Sequence, residues 1–121
     1  MGHSHLGQIL SNALHATGGF TVAPGATFNA VKVPKERIFI LTDVIVFPVV
    51  QKPNPSFILR YRIEEGTKTK FQYNTTGTSV NWSQHFTGGI PFKPGSKVNV
   101  VSTNFSTATA GFQLLGYFTT P

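Results

Sequence analysis

The 121-residue chain contains no cysteine and only four acidic residues, against ten Lys and Arg. Without cysteine there is no disulfide framework, no thiol nucleophile and no thiolate metal site. Four carboxylates are a thin stock for the paired acid and base of a glycosidase. Two of them, Glu64 and Glu65, are neighbours that a strand would turn to opposite faces. Gly-x-Ser-x-Gly and both phosphate-cradling glycine patterns are absent. Long apolar runs are missing too: nothing approaches the ~18 residues of a membrane-spanning helix. The N-terminus has neither a basic stretch nor a continuous apolar core, so no secretory signal is visible. These gaps argue for a protein that is not an enzyme and holds no cofactor.

What is present is β-like. Gly and Pro number 12 and 8, Phe reaches 11, and charged residues make up only 12%. From residue 20 onward short apolar or alternating runs are separated by Pro24-Gly25, Pro53-Asn54-Pro55, Gly66, Gly77, Gly88-Gly89 and Pro94-Gly95. The punctuation predicts eight strands, at 19–23, 27–33, 37–47, 56–64, 68–74, 79–87, 96–103 and 110–119. No helical pattern lies between them, which excludes βαβ crossovers. The expected fold is all-β, a single antiparallel β-sandwich with the jelly roll as first choice. In 57–64, Phe57, Leu59, Tyr61 and Ile63 share one face, and Ile58, Arg60, Arg62 and Glu64 the other. The runs 38–47 and 112–118 are instead apolar on both faces, so they need a second cover beyond the sandwich core.

Residues 1–18 read as a separate leader. Leu6, Ile9, Leu10, Ala13 and Leu14 fall at helical spacing and Gly18-Gly19 suits a helix stop. The reading is an amphipathic helix before a domain at 19–121, with Leu6, Ile9, Leu10 and Leu14 as candidate contacts between copies. Met1 to His5, with two of the four histidines, has the look of an added tag and is set aside.

Few side chains suggest chemistry. Asp43 is the single acid of a strongly apolar strand, in line with Phe39, Leu41, Ile45 and Phe47 by strict alternation. A buried carboxylate needs a cation, and Arg60 on the next long strand is the expected ion-pair partner. His3, His5, His15 and His85 with Asp43 show no metal-ligand spacing in the strand region, so no metal site is expected. Trp82 and Tyr73, near Asn81, Gln84 and His85, could form a small polar–aromatic site for carbohydrate. Buried strand residues with polar tips are the competing reading of the same aromatics.

The net charge of +6 and pI near 10 permit an anionic partner. The cations Lys32, Lys35, Arg37, Lys52, Arg60, Arg62, Lys68, Lys70, Lys93 and Lys97 are spread thinly along the chain. That spread reads as solubilising charge and argues against a nucleic-acid arm.

Three stretches carry a resemblance: Val33-Pro34-Lys35-Glu36-Arg37 running into Ile38 to Val46, Phe86-Thr87-Gly88-Gly89-Ile90-Pro91-Phe92-Lys93-Pro94-Gly95-Ser96, and Leu114-Leu115-Gly116-Tyr117. Together they resemble small uncharacterised bacterial β-sandwich proteins over roughly residues 30–118. The last stretch is also similar to one strand of the trimeric jelly rolls of tumour-necrosis-factor and complement-C1q type, which points the oligomer towards a trimer. The leading functional expectation is a structural or assembly subunit that self-associates through its doubly apolar strands, extracellular or attached to a particle. A lectin-like module and an anion-binding domain are the alternatives.

Overall fold

The computed structural model describes residues 14–49, 57–77, 82–104, 106 and 109–121. These form nine strands: β1 (Leu14–Ala16), β2 (Phe20–Val22), β3 (Thr27–Lys32), β4 (Ile38–Val49), β5 (Phe57–Glu65), β6 (Lys68–Gly77), β7 (Trp82–Phe92), β8 (Lys97–Ser102) and β9 (Thr109–Thr119). All pairings are antiparallel. One sheet runs β1-β9-β4-β7 with β2 also on β9, and the other runs β3-β8-β5-β6. Taken together as one interrupted first strand, β1 and β2 reduce the set to eight. The chain then crosses between the sheets at every connection except the β5–β6 hairpin, in the two interlocked Greek keys of a jelly roll. The eight strands expected from the sequence are all found, with ends moved by a few residues.

Alternation explains the core. Leu59, Tyr61 and Ile63 of β5 are fully buried, as are Val98 and Val100 of β8. They meet Phe39, Leu41, Val44, Phe92, Phe112 and Leu114 from the facing sheet. The sheets are tied by ring contacts, including an edge-on Tyr61–Phe112 pair at 5.1 Å. At one side Phe20 of β2 stacks on Phe28 of β3 at 4.3 Å, so Phe28 keeps contact although 40% exposed.

Strict alternation fails at two places, and each matters for function. Between Leu41 and Asp43 the register of β4 shifts against both neighbours. Thr42 is the extra residue, and its hydroxyl donates to the Leu115 carbonyl at 3.2 Å. Phe39 and Leu41 therefore point into the core before the bulge, and Val44 and Val46 after it. Asp43, expected in line with Phe39 and Leu41, is turned to the outer face with Ile45 and Phe47. The second break is Gly88-Gly89, expected to end a strand but lying inside β7, where both residues have positive φ. A side chain at Gly89 would run into Ile40. The pair absorbs the extra length between Leu41↔Ile90 and Asp43↔His85.

The N-terminal helix is corrected where the structure describes it. Leu14–Ala16 is a strand paired with Leu115–Tyr117, and Gly18-Gly19 separates β1 from β2. The cause is tertiary: the segment pairs with β9, His15 sits opposite Gly116, and its ring lies 5.9 Å from that of Phe39 and 5.1 Å from that of Phe118. A domain boundary at 18/19 would thus cut through one sheet. Leu6, Ile9 and Leu10 lie outside the described residues.

Candidate functional site

The outer face of the five-stranded sheet is the most unusual surface of the protein. None of its strands contains Lys or Arg, and Asp43 is their single acid. Register and alternation place Ile38, Ile40, Ile45 and Phe47 of β4 on this face, beside Leu115 and Tyr117 of β9. All six are half-buried within one chain. Phe47 lies across Gly111, which has no side chain to obstruct it. The sequence marked these strands as doubly apolar. The structure shows the reason: β4 and β9 are the paired inner strands of the sheet and present both faces to side chains.

One hydrogen-bonded polar pair lies on the face, where the neutral polar Ser83 and Gln113 also flank Ile45. His85 Nδ1 and Asp43 Oδ1 are 2.9 Å apart, on register partners of β7 and β4. The imidazole is 67% exposed and the carboxylate 32%. Asp43 therefore takes His85, not Arg60, as its partner. Arg60 is in the middle of β5, in the opposite sheet and between the buried Leu59 and Tyr61, so the core separates it from Asp43. The Thr42 bulge creates the new pairing by rotating Asp43 outward. Composition gives no sign of it, because the two residues are 42 positions apart.

The residues proposed for carbohydrate do not converge. Tyr73 is on the inner face of the four-stranded sheet, with ring neighbours Tyr61 at 6.1 Å and Phe71 at 6.4 Å. His85 is on the outer face of the other sheet. Gln84 is opposite Val44, and its side-chain amide donates to the His85 carbonyl at 3.1 Å. Trp82 is the register partner of Val46, and Asn81 falls outside the described residues. Tyr61 is no acid–base candidate either. Burial, reinforced by the neighbouring Tyr73 phenol, keeps its hydroxyl protonated far above the ordinary phenol range. Among the described residues no three His, Asp or Glu side chains gather as a metal site.

The four-stranded sheet presents a different outer face. Arg62 and Glu64 form an ion pair at 3.0 Å, with Thr69 also reaching Glu64, and Gln72 and Asn74 lie opposite Arg62 and Arg60. This is an ordinary hydrated sheet surface.

No protein-family model matches the chain, and no curated protein matches it significantly. Several solved structures are similar to it, three of them over most of its length as follows. The acid-stable capsid of Helicobacter pylori bacteriophage KHP30 has a chain 16% identical, with 89% of each chain covered and a TM-score of 0.49. A chain of the cyanophage Pam1 capsid is 8% identical over 88% of this chain and 86% of its own, with a TM-score of 0.40. The polyketide cyclase RemF from Streptomyces resistomycificus is 10% identical over 91% of this chain and 58% of its own, with a TM-score of 0.33. Identities and scores at this level transfer no function. The jelly-roll assignment stands on the strand order itself.

Proposed function

We propose that this protein is a non-enzymatic assembly subunit whose copies associate through the outer face of the five-stranded sheet. The observation that carries the reading is that the inner strands β4 and β9 are largely apolar on both faces and that no strand of this sheet contains Lys or Arg. A chain of net charge +6 repels its own copies over most approaches. Face-to-face contact of two such sheets brings no cation against another, which favours a second copy as the occupant. Each half-buried Ile, Leu, Phe or Tyr of the face has about 1 kcal/mol of further burial to gain. The Asp43–His85 pair, set off-centre among apolar groups, would fix how two copies are rotated.

The test is the solution mass by light scattering after size exclusion. The full chain is expected at a multiple of 13.1 kDa, a dimer being the stoichiometry that contact between the same face of two copies closes. Ile45→Glu combined with Leu115→Glu is expected to return the protein to the single-chain mass, with a β-type circular dichroism spectrum and a cooperative melt retained. A wild-type protein that runs as a monomer at all concentrations overturns the proposal.

A further inference from the structure

The cations that are scattered along the sequence are not scattered in space. At one end of the sandwich the chain passes between sheets at residues 33–37 and 93–96, and the β5–β6 hairpin turns at Gly66 and Thr67. Backbone hydrogen bonds knit these segments together. Gly95 donates to the Val33 carbonyl at 3.1 Å, Val33 to Ser96 at 2.9 Å, and Gly66 to Lys97 at 2.9 Å. The Lys93 amide donates to Glu65 Oε2 at 2.9 Å, joining the hairpin to the second crossing. Lys32 and Lys97 are register partners at the same end of β3 and β8, and Lys68 faces Glu65 across the hairpin. Lys35, Arg37 and Lys93 lie in or beside the crossings. Lys70, the extra residue of a bulge in β6, reaches back with its ammonium 5.8 Å from the Phe92 ring.

Seven of the ten cations, Lys32, Lys35, Arg37, Lys68, Lys70, Lys93 and Lys97, therefore share one end with three acids, Glu36, Glu64 and Glu65. Glu64 is taken up by Arg62, and Glu65 accepts the Lys93 amide. Among the described residues none of the seven forms an ion pair with a carboxylate. All but Lys70 are exposed. We infer that this end of the sandwich is a binding surface for the phosphate backbone of nucleic acid, engaged without sequence readout.

The chemistry of the patch selects that partner over an acidic protein surface. Six of the seven cations are Lys, which meet phosphate as point charges without a fixed bidentate geometry and so suit contact without sequence readout. No large apolar side chain is exposed at this end among the described residues, so the anchors of a protein interface are lacking. The charges come from both sheets and from the crossings between them, and so span about 10 Å of sandwich thickness. An extended strand of phosphates matches that spread better than a single carboxylate does. The inference is independent of the assembly reading, because this end and the outer face of the five-stranded sheet share none of these residues.

The experiment is fluorescence anisotropy with the full chain and a labelled random-sequence DNA duplex of about 20 base pairs, titrated at several salt concentrations. The expected result is binding whose log–log salt slope is about −4 to −6, from four to seven neutralised phosphates. Lys35→Gln, Lys68→Gln, Lys93→Gln and Lys97→Gln together should flatten the slope by about 4 and weaken binding at low salt by at least ~100-fold. All four side chains are exposed, so the melting temperature of this variant should stay within a few degrees of the wild type. No duplex binding at about 50 mM salt, or a slope unchanged in the variant, overturns the inference. Equal affinity for a poly-glutamate chain of the same charge also overturns it, in favour of an acidic protein partner.

Discussion

The five strands of one sheet contain no Lys or Arg and a single acid, whereas the four strands of the other contain six cations and two acids. Their inner faces are alike, each dominated by fully buried Val, Leu, Ile and aromatic side chains. The difference is wholly on the outside. A sandwich core constrains only every second residue of a strand, and the remaining positions are free to be set by what lies beyond the domain. In β5 those positions are Ile58, Arg60, Arg62 and Glu64, and in β4 beyond the bulge they are Asp43, Ile45 and Phe47. The first set suits water. The second suits another apolar surface, and this contrast is what supports an assembly role.

The contrast can be attacked first through what the sheets share. Phe112 is fully buried in β9 and contacts Tyr61 of the facing sheet as well as Phe20. Phe112→Ala removes one of the rings that join the sheets and is expected to cost about 3–5 kcal/mol in chemical unfolding. A loss below about 1 kcal/mol would mean that the two sheets are joined less tightly than their inner faces suggest.

A smaller effect separates irregular from regular parts of the neutral sheet. Gly89 has φ +76° and its open side is filled by Ile40. Gly89→Ala should cost about 1–3 kcal/mol in the same measurement. Gly18→Ala, in the link between β1 and β2 with nothing near it, should stay within about 0.5 kcal/mol. Equal losses at the two positions would show that the double-glycine break of β7 is not a constrained feature.

The smallest effects compare one polar pair from each sheet. His85→Ala and Glu64→Gln each remove one partner of an exposed or part-exposed pair. Each should change single-chain stability by less than about 1 kcal/mol. In the assembled protein the two should differ. His85→Ala is expected to lower the midpoint concentration-dependently or shift the oligomer mass, while Glu64→Gln leaves both unchanged. Identical behaviour would remove the distinction between the two outer faces.

Local sequence alone determined a good deal. The Gly and Pro punctuation marked eight of the nine strands, because turns and strand alternation are set by residues close together in the chain. The faces of β5 and the doubly apolar character of β4 and β9 were also readable, since each depends on the side chains of one strand. The bulges at Thr42 and at Gly88-Gly89 were not, because a bulge is defined against its neighbours and nothing in Leu41-Thr42-Asp43 signals it. That one unseen residue turned Asp43 outward, broke the expected pairing with Arg60 and gave the carboxylate to His85. The conversion of Leu14–Ala16 from a helix-like pattern to a strand likewise came from pairing with Leu115–Tyr117, a hundred residues away in the chain. The concentration of seven cations at one end follows from strand order, which places 32–37, 68–70 and 93–97 side by side although the sequence holds them far apart. Short-range patterning fixed the strands and their inner faces; register and topology, which are long-range, decided which outer residues meet.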